Sequence, residues 1–346
     1  MIDKIKIVDP ADIFDWDKQI LNYPDYSFFH TSCWAKVIAD TYNYKPCYFT
    51  VQNNGVLKAI IPLMVVDSRL TGKRAVSLPF TDYCEPLISD NILFDDLYKE
   101  IIDFSKERGL KFIELRGGQR FFTGVVASAF DYNHTLDLTI DEENLYKNLS
   151  SNTKRNIKKA MREGVTVEIS NSRSALEEFY QMNCVTRKKH GLPPQPKKFF
   201  DNLFTYIISE EKGFVAIGEQ NNLIVAGAIY LLIGKKVIYK FGASYMKYQN
   251  LRANNLVMWD AIKYCKNMEF DSFCFGRTEP DNDGLRKFKL GWGTKEEVLN
   301  IYKYNLEKNN FISIDTKTSG FHNKIFSNTP LPLLKIFGSV SYRHFG

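Results

Sequence analysis

The sequence predicts an α/β protein made of two similar halves, and three observations support this. At 346 residues the chain is longer than one hydrophobic core usually organises. Hydrophobic residues make up 44% of it and aromatic residues 14%, which indicates a folded interior rather than disorder. A strand–turn–strand pattern centred on Asn-Asn occurs twice, at 52–63 and at 219–231.

Each half continues in the same order after its hairpin. A Gly-Lys turn, at 72–73 and at 234–235, leads into a third strand-like run. An amphipathic helix and a returning strand complete each pattern, over 97–118 and over 257–278. We therefore predict the order strand, strand, strand, helix, strand in both halves, with the last strands in equivalent positions.

Helices are also predicted outside the repeat. Apolar periodicity indicates them at 11–22, 31–41, 173–190 and 196–210. The two halves are predicted to form domains 1–145 and 146–346. This boundary depends on the repeat alone, because the segment DLTIDEENLYKNL near residue 145 contains no Pro or Gly to mark a linker.

Charge, cysteine pattern and hydropathy limit the classes of protein to which this chain can belong. The net charge of +6 is small for so large a surface and excludes little by itself. The six Cys form no C-x-x-C pair and no His lies at metal-ligand spacing, so we expect reduced, structural thiols in a cytosolic protein without a metal site. The N-terminus shows no signal or transit pattern. The longest apolar run, at 223–233, is too short to span a bilayer, so no integral membrane segment is predicted.

Six basic residues and no acid lie between residues 147 and 162, most of them in a helix that Ser150, Ser151 or Thr153 can cap and Gly164 can end. Four recur at helical spacing and share one face: Arg155, Lys158, Lys159 and Arg162. Like charges on one stripe repel each other, so a bound anion would relieve the repulsion, although a solvated basic face explains the pattern equally well. A second basic stretch, 187–198, lies on a Pro-rich loop. Either could bind phosphates of a nucleic acid or of a diphosphate carrier.

A polar connection rich in Gly and in charge, 277–293, follows a strand-like run at 272–275. It is expected at the carboxyl end of that strand, where a sheet with helical crossovers leaves its binding crevice. A short helix is predicted over 285–290, between an Asp-Gly turn and a Gly. Within it Arg286 and Lys289 are three apart, which predicts a cationic pair at the mouth of the crevice. The predicted inward anchors are Leu285, Phe288 and Trp292, with Trp34 as an anchor in the first half.

This connection resembles a segment of a known family. FGRTEPDNDGLRKFKLGWG, at 275–293, is similar to the FGR…GL-[RK]-x-F-K-x-G-[WF]-G segment of Fem-type transferases. These are bacterial members of the GNAT acyltransferase superfamily that act around peptidoglycan and related cell-surface precursors. The resemblance spans nearly the whole chain and includes the segments at 28–38, 150–169, 239–262 and 330–346. It implies two tandem GNAT-like domains, each a mixed, largely antiparallel sheet flanked by helices, with the donor site in the second.

The resemblance also implies an activity. It predicts an acyltransferase that moves an acyl or aminoacyl group from acyl-CoA or aminoacyl-tRNA to an amine of a cell-envelope sugar or peptide precursor, which a lipid diphosphate can carry. The donor would be a co-substrate, with no tightly bound cofactor, and the enzyme would work in the cytoplasm or at the inner membrane surface. Two departures concern the donor. The stretch 250–256 lacks the Gly of the acetyl-CoA pattern Q/R-x-x-G-x-G/A, and the two-helix arm of some aminoacyl-tRNA-using members is missing.

Roles for single residues follow from the resemblance and from their chemistry. Lys289 matches the lysine of the Phe-Lys motif and is predicted to stabilise the developing oxyanion or leaving group, unless it is a surface Lys closing a helix. Asp82, in a loop of the first half, is a candidate base or acceptor clamp or, alternatively, a turn-forming Asp. The predicted donor-binding residues are Arg277, Arg286, Arg252 and Tyr239, and the predicted acceptor- or anion-binding residues are Arg155, Lys158, Lys159 and Arg162.

Other interpretations stay open at this point. Arg277 could form an ion pair with Glu279 or Asp281, and Tyr239 could simply pack in its sheet. The five His have no Ser or Cys partner at a recognisable spacing, so no covalent intermediate is predicted. The competing functions are a plain CoA-dependent GNAT N-acetyltransferase and a non-catalytic basic RNA- or glycan-binding protein.

Overall fold

The structure, a computed structural model, describes residues 4–313 and 325–346, which divide into two compact units. The described residues of the first unit are 4–131, 298–313 and 341–346, and those of the second are 132–297 and 325–340. The predicted division at residue 145 differs from this one. The chain crosses to the second unit 14 residues earlier than expected, and it later returns to add a strand to the first.

Regular elements account for most of the described residues. The strands are β1 (Lys6–Val8), β2 (Lys45–Pro46), β3 (Tyr48–Asn53), β4 (Val56–Ile61), β5 (Met64–Ser68), β6 (Gly72–Val76), β7 (Leu87–Ile88), β8 (Phe112–Arg116), β9 (Ala129–Asp137), β10 (Thr166–Ser170), β11 (Gly213–Gln220), β12 (Leu223–Ile233), β13 (Lys236–Ser244), β14 (Ser272–Thr278), β15 (Lys295–Asn305) and β16 (Asn310–Phe311). The α-helices are α1 (Trp16–Gln19), α2 (Ser32–Tyr42), α3 (Ile92–Glu107), α4 (Glu142–Asn148), α5 (Ser151–Arg162), α6 (Arg173–Lys189), α7 (Lys197–Leu203), α8 (Ala253–Asn267), α9 (Asp283–Leu290) and α10 (Leu331–Ser341).

The first unit is built on two runs of paired strands, in the orders β1-β3-β4-β7 and β15-β8-β6-β5-β2. Helix α3 packs its apolar face into the core, because its large hydrophobic residues recur every three or four positions: Phe94, Leu97, Ile101 and Phe104. Trp34 of α2 is fully buried and meets the rings of Phe28 and Phe29 edge-on, which confirms its prediction as a core anchor.

The second unit contains strands in the order β10-β11-β12-β13-β14-β9. The apolar run at 223–233 forms β12 and is largely buried, as a central strand should be. Helix α8 covers the sheet with Leu256, Trp259 and Ile262, and helix α5 packs Ile157 and Ala160 into the same core. Of the predicted inward anchors, Trp292 is fully buried, whereas Phe288 is only partly buried.

The predicted duplication is confirmed. In the first unit β8 returns parallel to β6, and in the second β14 returns parallel to β13, so the final strands occupy equivalent positions. The halves differ in detail, and the first has an additional short strand, β7. Where the second unit has the continuous β12, the first has β4 and β5 separated at Pro62, because proline has no N–H to donate to a sheet ladder. The structure therefore has the predicted fold class, with a mixed, largely antiparallel sheet flanked by helices in each unit.

Three of the four additional helices form as predicted, as α2, α6 and α7, the last extended by a π turn at Phe204–Ile208. The helix predicted at 11–22 is wrong in extent. Only α1 is α-helical there, because Asp15 adopts a left-handed conformation with φ of 57° and the flanking turns are 3-10 helices. All six Cys are buried, and none of them forms a disulfide. Over 4–313 and 325–346, no helix is long and apolar enough to cross a membrane.

Candidate functional site

The second unit contains an opening between two parallel strands. Pairing of β13 with β14 covers only Lys236–Ile238 and Ser272–Cys274, although both strands continue for several residues beyond that point. The equivalent position in the first unit is closed. There the Ser77 amide donates to the Glu114 carbonyl oxygen at 2.8 Å, and the Arg116 amide donates to Ser77 Oγ at 2.7 Å. The opening is thus specific to the second half of the duplication.

Irregular pairing accompanies the opening on both sides. The register of β12 against β13 shifts between Ile229 and Tyr230. The register of β14 against β9 shifts between Cys274 and Arg277, and Gly276 within this bulge has a φ of 69° that favours glycine. A bulge leaves backbone groups without their ladder partners, and the carbonyls of β14 find another donor here.

That donor is Lys289. Its ammonium donates to the carbonyl oxygens of Gly276 at 2.7 Å and Arg277 at 2.8 Å, and the residue is only 2% exposed. It reaches them because α9 begins at an Asn282 cap, whose side chain accepts from the Leu285 amide, and runs beside β14. Lys289 is therefore held in place by two backbone carbonyls. The alternative of a surface lysine closing a helix is wrong, because burial and two hydrogen bonds fix this ammonium.

The neighbouring cation, Arg286, forms an ion pair with a carboxylate. Arg286 donates to both carboxylate oxygens of Glu296, at 2.7 Å and 2.6 Å, and its guanidinium lies 3.9 Å from the ring centroid of Tyr132. The prediction of an open cationic pair at the mouth of the crevice is therefore wrong. Arg286 is engaged in a bidentate ion pair, and Lys289 points into the protein rather than toward solvent.

The same carboxylate meets a buried histidine. His134 is fully buried, and its Nε2 lies 2.9 Å from Glu296 Oε2, while no described residue offers a hydrogen-bond partner to its Nδ1. Burial, followed by the charge of Lys289, lowers the pKa of His134 and favours its neutral form. The hydrogen bond from Arg286 holds the pKa of Glu296 below its ordinary value. His134 and Glu296 were missed from the sequence, because no local spacing connects two residues that far apart along the chain.

The Gly-Trp-Gly end of the motif joins α9 to the basic helix. The carbonyl oxygen of Gly291 accepts from the Ser150 amide at 2.9 Å and from Thr153 Oγ1 at 3.0 Å. A Cβ atom at Gly291 would lie 2.8 Å from Thr153 Oγ1, so any larger residue would force Thr153 to move. Trp292 fills the core, and Gly293 turns the chain with a φ of 74°. The motif residues thus attach the start of α5 to the segment that carries Lys289.

Helix α5 presents the predicted basic stripe. Its capping residue Ser150 accepts from the Thr153 amide, and Ile157 and Ala160 face the core. The opposite face consists of the four predicted cations, of which three are exposed and Lys159 is partly buried: Arg155, Lys158, Lys159 and Arg162. None of these four forms an ion pair with an acid in the part of the chain that the structure describes. The stripe therefore carries uncompensated positive charge on the same unit as the crevice.

The start of α8 forms a small polar cavity of about 190 Å³ beside the end of β13. Arg252 begins the helix with a φ of 60°, and its side chain is exposed and has no acidic partner among the described residues. Asn255 is 7% exposed and lines the same cavity, and Asn254 Nδ2 donates to Ser244 Oγ at 3.1 Å. The positive end of the helix and an arginine thus meet at one place, which suits an anion.

The remaining predicted donor residues lie where the strands part. Tyr239 follows the last paired residue of β13, and its ring contacts those of Tyr230 and Phe275. Burial raises its pKa to about 12, so the phenol stays protonated. Arg277 lies on β14 opposite Asn133 of β9, directly after the bulge. All of the predicted donor residues belong to the second unit, where Lys289 contacts the Arg277 carbonyl and Tyr239 contacts Phe275 of the same strand.

Asp82 lies in the first unit, on a loop with unusual backbone geometry. Leu78 and Phe80 have φ values of 59° and 62°, a conformation that costs bulky residues free energy and that often marks functional segments. The loop is supported from two sides. Arg116 Nη1 donates to the Thr81 carbonyl oxygen at 3.1 Å, and His30 Nε2 lies 2.8 Å from that of Glu85. Asp82 is thus half-buried on a rigid loop of one unit, while Lys289 belongs to the other.

Comparisons with known proteins agree with the resemblance found in the sequence. A model of the "FemAB family" matches residues 78–210, and a model of the "Acetyltransferase (GNAT) domain" matches residues 147–296. The UDP-N-acetylmuramoylpentapeptide-lysine N(6)-alanyltransferase of Weissella viridescens is 26% identical over 161 residues, 45% of this chain and 47% of that protein. The lipid II:glycine glycyltransferase of Staphylococcus saprophyticus is 35% identical over 78 residues, 21% of this chain and 19% of that protein.

A solved structure supports the fold. The crystal structure of FemX superimposes with a TM-score of 0.70 and 14% identity, over 88% of this chain and 98% of that one. The chain spans about half the length of the alanyltransferase it matches and less of the glycyltransferase. The resemblance to Fem-type transferases of the GNAT superfamily is therefore confirmed.

Proposed function

We propose that this protein is an aminoacyltransferase that acylates an amine of a cell-envelope precursor, with its donor site in the second unit. The observation that carries the proposal is the parting of β13 from β14 beside the start of α8. Strands that separate expose backbone N–H and C=O groups, which can bind an extended acyl donor. The named relatives, an alanyltransferase and a glycyltransferase, transfer single amino acids, which supports an aminoacyl donor.

The reaction is attack of a neutral amine on the ester carbonyl of the donor. The amine nitrogen forms an amide bond, the ester oxygen leaves, and the ammonium proton must pass to a base or to water. The negative charge that develops on the carbonyl oxygen requires a nearby donor or positive charge. Lys289 holds the carbonyls of Gly276 and Arg277 and places a buried positive charge against the end of β14. It both positions that strand and provides the electrostatic stabilisation.

The basic stripe of α5 favours a polyanionic donor. Arg155, Lys158 and Arg162 are exposed and lack acidic partners among the described residues, and α5 is anchored to Gly291 of the motif. A tRNA would place phosphates along such a stripe without being read base by base. Asp82, on its supported loop, is the proposed base or clamp for the acceptor amine.

A CoA-dependent N-acetyltransferase is the second candidate. The polar cavity at the start of α8, with Arg252 at its rim, has the polarity that a pyrophosphate requires. Against it, the stretch 250–256 has no glycine, so its backbone cannot approach a pyrophosphate as closely as a glycine-rich turn does.

Thermal unfolding distinguishes the two donors, because only a ligand that binds the folded form raises the melting temperature. The protein is heated with acetyl-CoA, with alanyl-tRNA or glycyl-tRNA, and with uncharged tRNA as the control. Stabilisation by aminoacyl-tRNA above that by uncharged tRNA, together with transfer of labelled amino acid to a UDP-linked muramoyl pentapeptide, is the expected result. Stabilisation by acetyl-CoA alone would replace the proposal with the second candidate.

A further inference from the structure

Helix α10, in the second unit, carries an apolar stripe that is largely exposed, although the Phe337 ring contacts that of Phe326. Four large hydrophobic residues recur at i, i+3, i+4 and i+7, which places them on one side of the helix. Their exposed fractions are 58% for Leu333, 61% for Ile336, 43% for Phe337 and 61% for Val340. Contiguous exposure of this kind marks an interaction surface, whereas single exposed apolar side chains are ordinary.

The opposite side of the helix is firmly seated. Leu334 is fully buried, and a Cβ atom at Gly338 would lie 2.1 Å from the carbonyl oxygen of Pro194. Lys335 Nζ donates to Gln181 Oε1 of α6 at 3.0 Å. Because one side is anchored to α6 and to the Pro-rich loop after it, the orientation of the apolar stripe is fixed by packing.

The surroundings of α10 are basic. Between residues 179 and 200 the chain contains no acid and five basic residues, three of them in the last turn of α6: Arg187, Lys188 and Lys189. Arg187 Nε donates to the Pro193 carbonyl oxygen at 3.3 Å, which places this basic turn on the loop that seats Gly338. Lys197 is already paired with Glu177 and Asp201, so it adds little to the positive charge of this surface. Residues 325–340 contain one Lys and no acid.

We infer that α10 and the basic end of α6 dock on an anionic lipid surface, with the apolar stripe inserted at the level of the headgroups. An amphipathic helix of this kind lies in the plane of the membrane, and nearby Lys and Arg add attraction to anionic headgroups. A second copy of the chain fits this surface less well. A two-fold interface through α10 would bring the same basic residues of both copies together. The inference concerns attachment alone and does not depend on the proposed transfer reaction.

The test is co-sedimentation of the full chain with vesicles of phosphatidylcholine, with and without phosphatidylglycerol. The wild type should bind vesicles that contain phosphatidylglycerol, and added salt should weaken the binding because it screens the basic residues. Replacing Ile336 and Phe337 together with Ser should lower the partition coefficient about tenfold or more, since the inserted apolar area is lost. Replacing Lys188 and Lys189 together with Gln should lower it about tenfold, and only for the anionic vesicles.

The matched control is Leu223→Ser, which removes another side chain of the second unit that is 53% exposed but lies on strand β12. It should bind vesicles as the wild type does. A single Phe337→Trp variant adds a signal that does not depend on the disruptive changes, because its fluorescence should shift to the blue on vesicles that contain phosphatidylglycerol.

Three outcomes would overturn the inference. The wild type could fail to sediment with either vesicle, Leu223→Ser could reduce binding as much as the α10 changes do, or the Trp emission could stay unshifted. Sedimentation velocity without lipid tests whether a second copy of the chain binds the stripe instead. A dimer that the Ser variant dissociates would assign the stripe to a second copy of this chain instead.

Discussion

Replacing Lys289 with Met keeps the side-chain stem and removes the ammonium, which tests both functions proposed for it. The change removes the ammonium that donates to the carbonyl oxygens of Gly276, which is buried, and of Arg277, which is partly buried. An unsatisfied buried acceptor costs about 1–3 kcal/mol, so the two together predict a loss of about 2 kcal/mol or more in the free energy of unfolding. A transition state that loses one preorganised donor or charge typically slows turnover about 10²-fold or more.

The assay compares kcat and KM for aminoacyl transfer at a temperature where both proteins are folded, alongside urea unfolding. The control is Lys287→Met on the same helix, because Lys287 is exposed and should tolerate the change without effect on either quantity. Full activity in Lys289→Met would refute the electrostatic role. A higher KM with unchanged kcat would show instead that Lys289 binds ground and transition states equally. An unchanged free energy of unfolding would show that the two hydrogen bonds of Lys289 do not stabilise the fold.

Three further predictions concern other parts of the second unit. The first replaces the exposed cations of α5 with Gln, at Arg155, Lys158 and Arg162. The slope of log affinity for tRNA against log salt concentration should fall by about 2, since each phosphate contact releases counterions. An unchanged slope would show that the stripe is only a solvated face. Gly291→Ala should destabilise the protein by about 1–3 kcal/mol, because its Cβ would lie 2.8 Å from Thr153 Oγ1. Gly284→Ala, whose Cβ meets nothing closer than 4.0 Å, should be neutral or slightly stabilising in the same urea titration. The lowered pKa of His134 predicts stability that is complete above the ordinary His pKa of 6.5 and declines as the pH falls below it, because the unfolded chain then binds a proton that the folded one refuses. His134→Gln should flatten that decline, and an identical pH profile would show that His134 does not contribute to it.

The sequence by itself determined the features that depend on neighbouring residues. The repeated order of strands and helices, the basic face of α5 and the short helix α9 all follow from spacing within a few turns or strands, because side-chain periodicity decides which face is buried. The motif at 275–293 also identifies Lys289 and its glycines from local sequence alone. The domain boundary was less accurate, since a compact unit is defined by contacts between distant segments, and residues 298–313 return to the first unit.

The tertiary structure alone decided what Lys289, Arg286 and His134 do. Whether a lysine on a polar helix faces solvent or a sheet depends on what lies beside the helix, and here the bulge of β14 presents two carbonyls to it. The pairing of Arg286 with Glu296, and of Glu296 with His134, arises because β9 joins the sheet next to β14 and brings His134 to that carboxylate. Sequence spacing carries no information on these contacts, because they are produced by the pairing of strands that are far apart along the chain.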